Sequence, residues 1–193
     1  MTDENGSNYQ LNRDWELLRT LVRDRSFAFG EFTLSSGKTS NYYFDAKQVT
    51  LDPSGAYLLS KIILQKIKGL DITAVGGPTI GADPIVGALA VAAFTEGLEN
   101  LKFFIVRKEP KKHGKRRYIE GPELNAGERV AVVEDVITTG GSVLKAIDAV
   151  RSAGCDVVKV IALVDRKEGG AEKIASMGVE VDPVFTIDDF DVK

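Results

Sequence analysis

The residues best suited to chemistry lie in one short stretch, VVEDVITTGGS, at positions 132–142. Two adjacent carboxylates, Glu134 and Asp135, follow an apolar run rich in β-branched residues, which is typical of a buried parallel strand. Two aliphatic residues and then a run of small hydroxyl and glycine residues complete it: Val136, Ile137, Thr138, Thr139, Gly140, Gly141 and Ser142. The stretch therefore combines acids with a turn that can approach a ligand closely.

The element behind this turn should be a helix, because Val143, Ile147 and Val150 recur at helical spacing and Gly154 is a stop signal. A turn that opens a helix leaves backbone N–H groups unpaired at a positive dipole end, which favours a phosphate. Carboxylates repel phosphate, but they accept hydrogen bonds from vicinal hydroxyls. The stretch therefore predicts a sugar-phosphate site, with the acids on the sugar and the turn on the phosphate.

An ordinary strand, turn and helix with a solvated acidic corner is the alternative interpretation of this stretch. The full order of two acids, two aliphatic residues and Thr-Thr-Gly-Gly-Ser favours the sugar-phosphate site. It is not a Walker loop, because no Gly-Lys-Ser/Thr follows a Gly and four residues, and it is not GxGxxG.

The charge of the chain is unevenly spread. Residues 107–117, RKEPKKHGKRR, hold seven Lys or Arg against one Glu, a local charge of +6, and the chain total of −3 leaves −9 for the rest. An acidic body with one basic segment suggests a local anionic ligand rather than a nucleic-acid surface. The segment has no helical or strand period, so we expect a mobile loop.

Composition indicates an ordinary globular domain, with 44% apolar and 27% charged residues among 193. No apolar run approaches the length of a membrane span. The first ten residues lack a secretory pattern, and Cys155 is the only cysteine, so no internal disulfide can form. We expect a cytoplasmic protein with no nucleic-acid or membrane partner.

Apolar patterning predicts alternating strands and helices in a single domain, residues 1–193. The predicted helices cover 14–25, 53–67, 84–95, 143–153 and 171–177, with Asp52 and Asp83 as N-caps before proline. The predicted strands lie near 42–44, 72–75, 103–106, 130–133, 157–164 and 184–186. This alternation indicates a parallel sheet covered on both faces. About 1–45 should form an arm, loose over 1–10, and a hood over the sheet's carboxyl-terminal edge.

Two further segments carry weaker signals. The Gly-rich turn 76–82 before a helix could bind pyrophosphate through its N–H groups, or could be only a tight connection. The aromatic run Tyr42, Tyr43 and Phe44 could form a flat wall for a planar base, or could simply pack in the core.

The stretch VVEDVITTGGS resembles the phosphoribosyl pyrophosphate (PRPP) signature of the type I phosphoribosyltransferases. The resemblance implies that fold: a central parallel sheet flanked by helices, with an N-terminal hood. It also implies that the acids hold the ribose hydroxyls of PRPP and that the turn holds its 5′-phosphate. All residues from Glu134 to Ser142 then become PRPP-binding candidates, with Asp135 also catalytic.

The segment RKEPKKHG, residues 107–114, narrows the resemblance to the orotate phosphoribosyltransferase family, whose flexible catalytic loop it closely resembles. In that family the loop closes over PRPP from the neighbouring subunit of a dimer. Carried over, the pyrophosphate contacts are Arg107, Lys108, Lys111 and His113, with Lys111 catalytic. We therefore expect a homodimer with shared active sites.

A third matching segment, VDRKEGG at 164–170, implies that Arg166 grips the orotate carboxylate. A surface arginine in a turn is the alternative. The other orotate candidates are Thr138, Tyr43 and Phe44. The family resemblance covers about residues 29–170 and implies transfer of a phosphoribosyl group from PRPP to orotate, with Mg²⁺ held mainly by PRPP and water.

Two departures from the family pattern bear on the site. Many bacterial members have Lys where this chain has Ser35, and Tyr-Lys where it has Ile80 and Gly81. Lys38 is expected to replace the first lysine, and the sequence shows no substitute for the second.

Two rival functions remain open at this point. A purine phosphoribosyltransferase would share Glu134 to Ser142 but would not need the basic loop or an arginine for a carboxylate. A PRPP-sensing regulator without catalysis would be expected to add a nucleic-acid module or a broad basic face. Assays of each base with PRPP would separate the first rival.

Overall fold

The computed structural model describes residues 4–33, 39–109 and 118–192, which form alternating helices and strands. Six α-helices lie in these ranges: α1 (Glu4–Arg25), α2 (Lys47–Thr50), α3 (Pro53–Ile67), α4 (Asp83–Thr95), α5 (Gly141–Ser152) and α6 (Gly170–Ser176). The strands are β1 (Phe27–Thr33), β2 (Thr39–Phe44), β3 (Ala74–Pro78), β4 (Lys102–Val106), β5 (Ile119–Glu120), β6 (Arg129–Ile137), β7 (Asp156–Asp165), β8 (Glu180–Val181) and β9 (Phe185–Thr186). A 3₁₀ turn, Ile187–Phe190, follows β9.

Within the described residues, the central sheet has seven strands in the order β5-β4-β3-β6-β7-β8, with β9 also paired to β7. All of its pairs are parallel except β4 with β5. β6 pairs with β3 only up to Val132 opposite Gly76, so its last residues run on beside the turn that joins β3 to α4. The predicted fold class, a central parallel sheet flanked by helices, is confirmed, with β5 as an antiparallel strand at the edge.

The sheet is covered on both faces, as the sequence predicts, and successive residues of β6 divide between the two cores. Ala131 and Val133 belong to one apolar cluster with α1, α3 and α4 residues. Val130 and Val132 belong to the other, with residues of α5 and α6. This division follows from the alternation of side chains along a strand, and it explains why β6 reads as one continuous apolar run.

Two local predictions are wrong. The first helix begins at Glu4, so residues 4–10 are helical rather than a loose arm. The early turns of this helix carry few apolar residues, and so they gave no periodic signal. Asp83 is not an N-cap, because the cap position is Ala82 and the Asp83 carboxylate accepts a hydrogen bond from the Thr79 hydroxyl at 2.7 Å. Asp52, in contrast, caps α3 as predicted, accepting from the N–H groups of Ser54 and Gly55.

The hairpin of β1 and β2 forms a separate antiparallel sheet. Tyr42 on β2 contacts Arg166, which directly follows β7, so the hairpin lies at the carboxyl ends of the central strands. This is the position expected of the hood, while the single-domain boundary stays a prediction. None of the described helices is long and apolar enough to cross a membrane.

Candidate active site

The acid pair lies in the last four residues of β6, where Glu134 is 4% exposed and Asp135 is 8% exposed. The Ser142 hydroxyl at the start of α5 donates to Glu134 Oε2 at 2.7 Å, and the Asp135 N–H donates to Glu134 Oε1 at 3.1 Å. The Val136 N–H donates to Asp135 Oδ1 at 2.8 Å. Both carboxylates are therefore held in fixed orientations at the end of the strand.

Burial of this pair perturbs proton binding. Burial away from solvent is the largest cause that raises the pKa of Glu134 to about 8, and repulsion from the Asp135 carboxylate is the second. The hydrogen bond from the Ser142 hydroxyl acts in the opposite direction. Two adjacent carboxylates in a dry site cannot both ionise cheaply. This environment favours the protonated form of Glu134, which can then donate a hydrogen bond.

A cation contacts the second acid. Lys47, the first residue of α2, places its Nζ 3.2 Å from Asp135 Oδ2 and 4.0 Å from Asp45 Oδ1. Burial lowers the pKa of Lys47, but the Asp135 carboxylate and then Asp45 outweigh that effect, and the pKa is raised overall. Lys47 is thus a stable ammonium at the edge of the site.

The Thr-Gly turn connects β6 to α5 as the sequence predicts. Gly140 occupies the cap position with a φ of 80°, in the left-handed region that favours glycine. The turn also packs closely on α6, because a Cβ at Gly170 would lie 2.4 Å from the Thr138 carbonyl oxygen. Thr139, Gly141 and Ser142 are exposed, so the amino end of α5 is open to a ligand.

The second glycine-rich turn, 76–82, lies directly against the acid pair. A Cβ at Gly81 would lie 2.4 Å from Asp135 Oδ1 and 2.6 Å from Glu134 Oε1. Any side chain at this position would therefore displace the carboxylates. The backbone of this turn and the end of β6 therefore line the same site.

Arg166 follows β7 on the same edge of the sheet, with a side chain 14% exposed. One terminal nitrogen lies 3.5 Å from the Tyr42 hydroxyl, and the guanidinium carbon lies 5.4 Å from the centre of the Tyr42 ring. Its Nε is 3.0 Å from Glu168 Oε1 without hydrogen-bond geometry, and this buried atom has no hydrogen-bond partner within the described ranges. A buried donor without a partner is well suited to a ligand acceptor.

The other two aromatic candidates occupy opposite sides of β2. Phe44 is 7% exposed and packs in the core against Phe27, with ring centroids 4.9 Å apart. Tyr43 is 50% exposed and contacts Phe32 at 5.8 Å. The base-wall role of both residues stays a prediction.

Of the basic loop, the structure describes residues 107–109. Arg107 is exposed, and its side chain contacts the Glu109 carbonyl oxygen and the Glu120 carboxylate, the latter at 3.3 Å. Lys108 is also exposed. Lys111 and His113 lie outside the described residues, as do Ser35 and Lys38.

The structure adds one residue that sequence reasoning missed, Lys47, and it gives specific contacts to Tyr42 and Gly81, which the sequence had placed only within candidate segments. Tyr42 had a usable signal, because alternation along a strand places it on the opposite side from Tyr43. Lys47 had none, since it is 88 residues from its partner Asp135. Gly81 was considered as part of the turn 76–82 and for a missing lysine, whereas its contact with the acids depends on the path of the turn in three dimensions.

Comparison with known proteins shows to which class of enzyme the chain belongs. The family model described as phosphoribosyl transferase domain matches residues 53–190, and this match identifies a phosphoribosyltransferase. The orotate phosphoribosyltransferase of Aquifex aeolicus is 48% identical over 175 residues, covering 89% of this chain and 94% of that protein. The enzyme of that name from Rhodopirellula baltica is 46% identical over 185 residues, covering 93% and 95%.

A solved structure supports the same assignment. Orotate phosphoribosyltransferase from Mycobacterium tuberculosis, in complex with PRPP, matches with a TM-score of 0.78 at 36% identity, covering 93% of this chain and 99% of that one. The chain belongs to the orotate phosphoribosyltransferase family. The resemblance read from the sequence is confirmed.

Proposed function

We propose that this chain transfers the 5-phosphoribosyl group from PRPP to orotate, giving orotidine 5′-phosphate and pyrophosphate in de novo pyrimidine (UMP) biosynthesis. The observation that carries the proposal is the meeting of three features at one sheet edge. These are the buried acid pair of β6, the open amino end of α5, and the Arg166 guanidinium, whose buried Nε makes no hydrogen bond to any described residue. Family membership and the PRPP complex of the M. tuberculosis relative support it.

PRPP binding is assigned to the residues from Glu134 to Ser142. Asp135 accepts from a ribose hydroxyl, and Glu134, whose pKa is raised to about 8, donates or accepts according to its protonation. The N–H groups and hydroxyls from Thr138 to Ser142 bind the 5′-phosphate at the positive end of α5. Asp135 acts catalytically because a carboxylate beside the ribose stabilises positive charge that develops there as the bond to pyrophosphate breaks.

Orotate binding is assigned to the residues around Arg166, which lies at the same edge of the sheet as the acid pair. The guanidinium of Arg166 suits a carboxylate, and its buried Nε would gain the hydrogen bond that it lacks. Tyr42 holds the guanidinium through its ring face and hydroxyl. Thr138 and Tyr43 are assigned to the base, and Phe44 supports the hairpin from within the core.

The basic loop is assigned to the leaving pyrophosphate. Arg107, Lys108, Lys111 and His113 supply positive charge as negative charge develops on the leaving group. Closure of a loop also excludes water, which would otherwise attack the ribosyl centre.

Mg²⁺ is the proposed cofactor. Within the described ranges, no group of three or more His, Cys, Asp or Glu is arranged to hold a metal ion. The proposal therefore places the ion on the diphosphate of PRPP with water as its other ligand, a common arrangement for Mg²⁺ with substrate phosphates. The ion would neutralise charge on the leaving group.

The proposed assembly is a cytoplasmic homodimer with shared active sites. From Lys108 to Gly121 the chain can span about 48 Å when extended, or about 20 Å as a hairpin, which is enough to cross an interface. An exposed apolar surface on α3 and α4 offers the contact. Tyr57 is 59% exposed and Phe94 is 69% exposed, and the nearby Lys61–Glu96 pair, 2.8 Å apart, joins the two helices.

A spectrophotometric assay of orotate consumption with PRPP and Mg²⁺ tests the proposed function. We expect turnover with orotate that requires both PRPP and Mg²⁺, and none with adenine, hypoxanthine or guanine. Turnover with a purine base and none with orotate would contradict the proposal and favour the purine enzyme. PRPP binding without turnover of any base would favour a regulator.

A further inference from the structure

Lys47 has no role in the proposed reaction, although its side chain contacts the acid pair. Its ammonium lies 3.2 Å from Asp135 Oδ2, and α2 is brought there by the chain that leaves the hood. The Asp45 carboxylate beside it accepts from the Lys47 backbone N–H at 3.1 Å and so fixes the start of α2. The lysine is therefore placed by the local backbone, and it reaches the acid pair across 88 residues of sequence.

The acid pair has unequal surroundings on its two members. Glu134 faces the Ser142 hydroxyl on the α5 side, and Asp135 faces Lys47 on the α2 side. The turn from β3 to α4 approaches both acids with backbone only at Gly81, and residues 76–82 include no Lys or Arg. Asp83 in the same region is turned to the Thr79 hydroxyl. Among the described groups in contact with the pair, Lys47 is the cation.

This asymmetry favours ionisation of one acid over the other. A positive charge next to one of two coupled carboxylates stabilises the negative charge on that member. The proton that the pair retains is then left on the other member. We propose that Lys47 is a positioning residue that fixes Asp135 as the ionised member of the acid pair and so makes it the acceptor for a ribose hydroxyl of PRPP.

The proposal rests on the proposed function, and it names a role for Lys47 that acts through Asp135 rather than on the substrate. Its side chain is 42% exposed, so neutral substitutions should not disrupt the core. The variants Lys47→Met and Lys47→Gln remove the charge, and Lys47→Arg keeps it. Lys102→Met is a matched control, because Lys102 at the beginning of β4 also pairs with a carboxylate, Glu128, at 2.6 Å.

The first measurement is the pH dependence of kcat/KM for PRPP. Without the ammonium, protonation of the pair becomes easier, so the acid limb should move to higher pH by about 1 unit in Lys47→Met and Lys47→Gln. Lys47→Arg and Lys102→Met should keep the wild-type limb. A limb that stays in place in both neutral variants would overturn the proposal, and a purely structural role would lower Tm without moving it.

The second measurement is a double-mutant cycle with Asp135→Asn, read by calorimetric binding of PRPP at pH 7. Lys47→Met should weaken PRPP binding about tenfold in the wild-type background and less than about twofold beside Asp135→Asn. Equal losses in both backgrounds would mean that Lys47 contacts PRPP directly, and the positioning role would be wrong. Because this arm needs no orotate, a wild-type chain that binds PRPP but consumes no orotate would refute the proposed function alone.

Discussion

Glu134 and Asp135 show how neighbouring residues of one type come to differ in chemistry. Side chains alternate across a strand, so one acid meets α5 and the other meets α2. Glu134 is buried and accepts a hydrogen bond from the Ser142 hydroxyl, whereas Asp135 faces the Lys47 ammonium. These surroundings favour the protonated form of Glu134, and in our proposal they leave Asp135 as the acceptor for PRPP.

The raised pKa of Glu134 makes stability depend on pH. Between its ordinary pKa of 4.5 and about 8, the folded chain binds a proton that the unfolded chain has lost, so this group's stabilising contribution falls as pH rises. Glu134→Gln keeps a polar partner for Ser142 and cannot ionise. The unliganded wild type should therefore lose Tm relative to Glu134→Gln between pH 5.5 and pH 8.

Differential scanning calorimetry of both proteins at several pH values would test this expectation. In a chain of this length each 1 kcal/mol shifts Tm by about 2–4 °C, so the effect is measurable. The comparison with Glu134→Gln cancels the titrating groups that do not interact with Glu134. Parallel Tm curves would contradict the raised pKa.

Arg166 gives a prediction about substrate selectivity. Arg166→Ala removes one end of a desolvated ion pair, so kcat/KM for orotate should fall by about 2–4 kcal/mol in transition-state terms. PRPP affinity should change little. Steady-state kinetics with each substrate varied would show the difference.

Arg151 supplies the control for that experiment. It lies in α5, and its guanidinium donates to the Met177 carbonyl oxygen at 3.0 Å on the exposed surface. Arg151→Ala should leave both kinetic constants near wild type. If Arg166→Ala instead impairs PRPP and spares orotate, the arginine has another role.

At the scale of elements, the turn from β3 to α4 is as much a part of the site as β6. Gly81→Ala places a methyl 2.4 Å from Asp135 Oδ1 and 2.6 Å from Glu134 Oε1, and both oxygens are held by backbone N–H groups. The carboxylates would have to rotate and break these bonds. We expect kcat/KM for PRPP to fall about tenfold or more, with a loss of about 1–3 kcal/mol in unfolding free energy.

Gly87→Ala, in the following helix, is the matched change for this experiment. A Cβ there meets nothing within 4 Å. Alanine is favoured over glycine inside a helix by about 0.5–1 kcal/mol, so this variant should be slightly more stable and fully active. Urea unfolding and PRPP kinetics of both variants would test these expectations. A fully active Gly81→Ala would contradict them, because it would show that the two carboxylates can move without loss of function.

At the scale of the whole molecule, the shared-site dimer makes a prediction about mixtures. Lys111→Ala and Asp135→Asn should each be nearly inactive, since the first lacks a loop cation and the second a ribose acceptor. In a mixed dimer, one site combines the intact loop of one chain with the intact acids of the other. After subunit exchange, an equal mixture should recover roughly a quarter of wild-type turnover per chain, assuming random pairing and independent sites.

Proof of subunit exchange is the control for the mixing experiment, and mass spectrometry of differently tagged chains supplies it. Inactivity despite proven exchange would mean that Lys111 serves the site of its own subunit. A monomer at assay concentration would refute the dimer itself.

The sequence by itself determined the features that depend on local order along the chain. The acids and the Thr-Gly turn stand next to one another in β6 and α5, so their proximity needs no long-range contact. Asp52 before Pro53 specified a helix start for the same reason. The resemblance of these segments to a known family was enough to predict the fold class.

The tertiary structure alone decided which distant residues complete the site. Lys47 meets Asp135 across 88 residues, and Arg166 meets Tyr42 across 124. These contacts depend on the strand order, which places β3 next to β6, and on the hood lying at the carboxyl ends of the strands. Local propensity carries no information about either, because the same helices and strands could be joined in other orders. Tyr42 and Phe44 both pack against Phe27, with ring centroids 5.8 Å and 4.9 Å away, and the position of Arg166 over the Tyr42 ring is what distinguishes the two.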